Sequence, residues 1–86
     1  MKNGLIIDQD GTKRYYLNDQ YHRIDGPAIE YTNGSKYWFL HDQLHRVDGP
    51  AYEYAGGYKA WYINGKELPV KTQQEFEQYM RLIAFW

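Results

Sequence analysis

Cysteine is absent from the 86 residues, so neither disulfides nor a thiolate metal site can support the fold, an absence that fits an intracellular protein. Long apolar runs are missing too. The stretch before the first glycine-rich link holds only Leu5-Ile6-Ile7 in a row, too short for a signal peptide or a membrane span. Charge of one sign is lacking: ten basic against eleven acidic residues leave a net charge of −1. A nucleic-acid binder would carry a basic excess or stripe, and the acidic excess is too small for a DNA mimic. No Ser-His-Asp, Cys-His, phosphate-loop or Gly-x-Gly-x-x-Gly pattern occurs, so no catalytic residue, cofactor or enzyme activity is expected.

What the chain has instead is aromatic residues, ten Tyr, three Trp and three Phe, and it has them in a repeat. Gly11 to Tyr31 and Gly34 to Tyr54 are identical at 13 of 21 positions, with an offset of 23 residues. A third unit starts on schedule at Gly57 with Gly-Tyr-Lys-Ala-Trp-Tyr-Ile-Asn-Gly, then diverges at Glu67-Leu68-Pro69-Val70. A partial unit, Gly4 to Gly11, precedes the first. Fixed-period self-similarity marks a repeat array, in which each unit buries its apolar surface against its neighbours.

Each unit carries two strand candidates. The aromatic runs Lys13–Leu17, Lys36–Leu40 and Lys59–Ile63 form one series; Ala28–Thr32 and Ala51–Ala55, preceded by Leu5–Asp8, form the other. Asp10-Gly11, Asn33-Gly34 and Gly56-Gly57 link them, two-residue sequences suited to the positive φ angles of tight hairpins. The expected fold is mainly β: an antiparallel meander of about six strands built from hairpin repeats over residues 4–70, with one C-terminal helix over 71–86, all in a single domain. Strand alternation puts Tyr15, Trp38, Trp61, Leu17, Leu40 and Ile63 on one face, the expected core, joined by Ile29 and Tyr52 if the register allows. Tyr16, Phe39 and Tyr62 face the other way, with Arg14, Tyr37 and Ala60.

After Pro69 the pattern changes. Thr72-Gln-Gln-Glu75 is a capping box, and Phe76, Tyr79, Met80 and Ile83 follow at i, i+3, i+4, i+7. A helix is expected over Thr72–Ala84 as a cap on the last repeat. Its one basic residue, Arg81, is too little for a membrane-surface helix.

His22-Arg23-Ile24-Asp25-Gly26-Pro27 and His45-Arg46-Val47-Asp48-Gly49-Pro50 gather acid, base and cation. Their repetition at the same place in each unit points to structure rather than catalysis. Asp-Gly-Pro suits a turn, Arg pairs with Asp, and His bonds to backbone, which makes His22, Asp25, Gly26, His45, Asp48 and Gly49 structural turn residues. His41 and His45 are four apart in turn territory, where that spacing makes no metal site.

The 23-residue period, aromatic strand, Asn64-Gly65-Lys66 turn, His-containing loop and closing glycine resemble MORN repeats over residues 4–66. The His-Arg-x-Asp-Gly-Pro-Ala form is similar to variant repeats of bacterial and bacteriophage proteins, some labelled antitoxin-like. The tail Ala84-Phe85-Trp86 resembles that of small phage proteins. In the common MORN pattern His is followed directly by Gly; this chain departs from it, and no lipid-binding role is carried over. The resemblance implies a hairpin-repeat sheet used for protein contacts and transfers no catalytic residue.

The resulting expectation is a non-enzymatic interaction module, phage-encoded and acting in the bacterial host cytoplasm, that modulates a host defence or toxin protein. Tyr16, Tyr37, Phe39 and Tyr62 form its partner-binding face. Two alternatives stand beside it. One is a sponge for a signalling nucleotide, with Arg23, Arg46 and Lys36 as anion contacts. The other is self-assembly, in which copies pair at the open edge of Leu5–Asp8 and a homodimer also buries the spare aromatic face.

Overall fold

The computed structural model describes residues 1–83; the Ala84-Phe85-Trp86 tail lies outside them. The protein is mainly β with one C-terminal helix. Strands β1 (Gly4–Ile7), β2 (Lys13–Leu17), β4 (Ile29–Glu30), β5 (Lys36–Tyr37), β8 (Tyr52–Glu53) and β9 (Lys59–Ala60) pair in that order as an antiparallel meander. Short strands β3 (Gln20–Tyr21), β7 (Gln43–Leu44) and β11 (Lys66–Glu67) pair back onto β2, β6 (Phe39–Leu40) and β10 (Tyr62–Ile63). The aromatic run is thus one strand in the first unit and is interrupted at Trp38 and Trp61 in the next two.

Two kinds of turn alternate, and both differ from the expectation. At the glycine links the loops have three residues. Gly11, Gly34 and Gly57 donate their N–H to the carbonyls of Asp8, Tyr31 and Tyr54 at 3.0, 3.0 and 2.8 Å. Among Asp10, Asn33, Gly56 and these three glycines, only the three glycines have positive φ. The reason is local: the Asp10 and Asn33 side chains accept the N–H two residues on, from Thr12 at 3.0 Å and Ser35 at 2.9 Å. That geometry belongs to a type I turn followed by a glycine bulge. Tight two-residue turns with both φ positive occur elsewhere, at Asn18-Asp19, His41-Asp42 and Asn64-Gly65. These turns create β3, β7 and β11.

Register assigns the faces. Leu5 lies opposite Tyr15, Arg14 opposite Ile29, Ile29 opposite Tyr37, and Tyr37 opposite Tyr52. Tyr15 and Trp38 donate to the carbonyls of Ala28 and Ala51 at 2.8 and 2.7 Å. One face therefore carries Leu5, Tyr15, Ala28, Trp38, Ala51 and Trp61, the Trp face. Ile29 and Tyr52 lie on the opposite, Tyr face with Arg14 and Tyr37; they do not join the Trp61 side.

The core differs from the expected six-residue face: of those six only Trp61 is buried, and the other buried apolar residues are Ala28, Ile29, Ala51, Ala60, Leu68 and Phe76. Trp61, Leu68 and Phe76 form the buried cluster, flanked by Ile63, Val70, Tyr79 and Met80. Tyr15, Trp38 and Leu40 are half-buried and Leu17 is exposed. Helix α1 (Gln73–Ile83) has 11 residues and closes only the last unit. Over the earlier units a guanidinium stands in its place: Arg23 lies 4.1 Å above the Tyr15 ring and Arg46 3.9 Å above Trp38. Phe76 takes the equivalent position against Trp61, with centroids 6.4 Å apart. Thr72 caps the helix by accepting the Glu75 N–H at 3.1 Å, and Glu75 reaches back to the Lys71 N–H at 2.7 Å. Trp61 Nε1 donates to Gln73 at 3.0 Å. Ile83, expected on the buried stripe, is exposed.

Candidate functional site

The two His-Arg-x-Asp-Gly-Pro segments are near copies. Arg23 Nε donates to Asp25 at 2.9 Å and its Nη1 to the Pro27 carbonyl at 3.2 Å; Arg46 repeats this with Asp48 at 2.8 Å and Pro50 at 3.1 Å. The adjacent guanidinium holds the Asp25 carboxyl below the usual carboxylate range, by hydrogen bonding first and by its charge second. Each guanidinium is thus spread over an aromatic ring, a carboxylate and a carbonyl, a geometry that planar arginine supports and lysine does not.

The histidines bind the next unit. His22 Nδ1 accepts the His41 N–H at 3.0 Å, and His45 Nδ1 accepts the Asn64 N–H at 2.9 Å. A ring nitrogen that accepts a hydrogen bond carries no proton, so each bond selects the tautomer with its hydrogen on Nε2. His22 and His41 come within 4.3 Å between ring centroids; burial, then the neighbouring His41, pushes the His22 pKa down. The pair brought together is His22 with His41, from different units, rather than His41 with His45.

On the Tyr face the aromatic residues join into one ladder. Tyr16 stacks on Tyr21 at 5.1 Å, Tyr21 meets Phe39 at 5.4 Å, Phe39 meets Tyr37 at 6.3 Å, and Tyr37 meets Tyr52 at 4.5 Å. Tyr31 and Tyr58 pack edge-on against Tyr37 and Tyr52, and Lys2 lies over Tyr16. The six rings from Tyr16 to Tyr52 and Tyr31 are half-buried, and Tyr58 is exposed. The Tyr37 phenol is pushed up to about 12, first by its interaction with the Tyr52 hydroxyl and then by burial. Tyr62 is half-buried near the same rings, its phenol raised chiefly by burial.

Of the residues expected to meet a partner, Tyr16, Tyr37 and Phe39 sit in the ladder and Tyr62 beside it. Tyr21, Tyr31, Tyr52 and Tyr58 complete the surface without having been singled out from the sequence. Tyr21 sits in β3, and the available signal was the repeated Asp-Gln at 19–20 and 42–43, whose Asp is the second positive-φ residue of each turn. The expected anion contacts are not gathered. Lys36 lies between Glu30 and Glu53 in the pairing register, within a Lys13-Glu30-Lys36-Glu53-Lys59 cross-strand row of alternating sign. Arg23 and Arg46 line one groove of about 490 Å³ with Ile24, Trp38, Leu40 and Val47, but both guanidinium groups are already engaged.

No helix among the described residues is long and apolar enough to cross a membrane. Comparison with family models, with curated proteins and with solved structures returns no match.

Proposed function

We propose that this protein is a non-enzymatic, MORN-like interaction module that binds another protein through its Tyr face. The observation that carries the reading is the continuous aromatic ladder, half-buried and left open by α1, which packs on the opposite side at Trp61. Half-exposed tyrosines supply large, rigid contact area with few rotors to immobilise, and an apolar patch of this extent usually marks an interface. A phage origin, a host defence or toxin component as partner, and the bacterial cytoplasm as the site of action complete the proposal.

The test is native mass spectrometry of tagged protein recovered gently from a bacterial lysate, beside a Tyr16→Ser, Phe39→Ser, Tyr62→Ser variant. A discrete protein adduct on the wild type, absent from a variant whose circular dichroism is unchanged, is the expected result. An adduct that survives all three substitutions would place binding elsewhere. Because the rings stack on one another, Tyr58→Glu serves as the gentler variant. Tyr58 is 59% exposed, and a carboxylate there repels an apolar partner without opening the ladder.

The nucleotide-sponge reading is ranked behind this one, since Arg23, Arg46 and Lys36 are each partnered or flanked by acid. Heat from titration with a nucleotide panel would reverse that order.

A further inference from the structure

The described sheet has two open edges, β1 and β9, and the repeat makes them complementary. β1 stands to β2 as β4 stands to β5: Ile6 faces Arg14 and Ile29 faces Tyr37, one period apart. β9 in turn occupies the slot of β2 and β5, whose far sides pair with β4 and β8. The strand that would lie beyond β9 falls at residues 74–76, and that stretch is in α1. The chain thus makes one kind of strand junction twice and ends with its two unmatched halves, one at each edge.

Three details identify the unmatched groups. Tyr15 and Trp38 send their N–H to Ala28 and Ala51, whereas the Trp61 N–H, on the open side of β9, finds no backbone acceptor among the described residues. Alongside it runs a groove of about 770 Å³ between β9 and the Glu67–Lys71 segment, lined by Tyr58, Lys59, Trp61, Leu68 and Val70 among others. At the other edge Leu5, Ile6 and Ile7 are 46%, 37% and 57% exposed. An open strand bearing three apolar residues and no charge lacks the devices that keep edges from pairing.

We infer that a second copy of this chain supplies the missing strand, its β1 lying antiparallel along β9 in the register of the internal junctions. That register sets Ile7 opposite Lys59, Ile6 opposite Ala60 and Leu5 opposite Trp61, and it brings the Leu5 carbonyl to the Trp61 N–H. Ile6 then meets the small side chain of Ala60, and Leu5 enters the groove where Ala28 and Ala51 sit in the earlier units. The contact joins unlike surfaces, so it propagates head to tail and closes only if the rotation allows.

Proline at the outward-facing position of each edge tests this. Asp8 donates inward to Thr12, so the Ile7 N–H faces out, and by the same alternation so does that of Lys59. Proline is tolerated at such edge positions, and circular dichroism confirms that each variant folds; Ile7→Lys is the substitute if proline does not. Wild-type mass in sedimentation should rise with concentration, while Ile7→Pro and Lys59→Pro should each stay single chains. Mixed together, each retains the edge the other lacks, and the mixture should form a complex of two chains and nothing larger. Wild type that remains a single chain at every concentration overturns the inference. So does assembly lost with Ile7→Pro but kept with Lys59→Pro, which would mean pairing of β1 with β1. The Tyr16→Ser, Phe39→Ser, Tyr62→Ser chain should still assemble, so this outcome stands apart from that of the Tyr face.

Discussion

At the residue scale, the repeated segment is a small machine for holding one arginine flat. Arg46 satisfies the Pro50 carbonyl, pairs with Asp48 and shields Trp38 at once. Arg46→Lys keeps the charge but not the planar fork, so it should behave like Arg46→Ala. Either should lower the urea midpoint by an amount equivalent to about 1–2 kcal/mol, from the lost stacking and one lost hydrogen bond. Gly49 is tied to the same geometry, since a Cβ there would sit 2.9 Å from the Arg46 guanidinium carbon. Gly49→Ala should therefore act by expelling Arg46, and the double variant Gly49→Ala, Arg46→Ala should cost little more than Arg46→Ala alone. Full additivity would show that the two act separately. His22 gives a pH dependence of definite sign. Its folded pKa lies below the ordinary 6.5, so its contribution is complete above pH 6.5 and is lost as pH falls through the folded value. Urea unfolding of wild type should weaken over that window, and His22→Phe should flatten the slope there while leaving the carboxylate titrations below it.

At the element scale, α1 does in the third unit what arginine does in the first two. Phe76 covers Trp61 as Arg46 covers Trp38, and it is 1% exposed in the only cluster of large buried side chains among the described residues. Phe76→Ala removes that cover and leaves a cavity, a change that costs roughly 3–5 kcal/mol in well-packed cores. In a chain this short such a loss approaches the whole stability. We expect the Trp61 emission to shift red and the helical dichroism to fall, with the earlier units following or not according to how tightly units couple. The elements were legible in the sequence to different degrees. The capping box and the i, i+3, i+4 stripe marked the start of α1 to within a residue, because capping chemistry is local; the expected end at Ala84 lies outside the described residues. The six-strand meander followed from the period. Strands β3 and β7 did not, because each is two residues long and depends on positive φ at Asn18, Asp19, His41 and Asp42, residues that only tolerate that conformation; for β11 the Asn64-Gly65-Lys66 turn was visible but the two-residue strand after it was not.

At the scale of the whole molecule, shape explains why so few residues are fully buried. The protein measures 42 × 29 × 17 Å, and 17 Å leaves little more than one sheet with a partial second layer, given that layers pack about 10 Å apart. Both sheet faces and both edges are therefore close to solvent. The Tyr face and the β1 and β9 edges are separate surfaces, one for each of the two proposed contacts.

The amino-acid sequence by itself determined the period, the meander, the capped helix and the internal pairing of Arg with Asp, because each depends on residues close together in the chain. It also placed Tyr16, Tyr37 and Phe39 on the side opposite Trp38, since alternation along a strand is a local property. Tertiary structure alone decided the rest. Ile29 and Tyr52 went to the Tyr face because register is set by pairing across strands, not by spacing along them. Lys36 came to lie between Glu30 and Glu53, which only strand pairing brings beside it. The cluster of large buried side chains on the Trp side came down to Trp61, Leu68 and Phe76 because one 11-residue helix can cover one unit, and which unit it covers is fixed by packing rather than by any residue read alone.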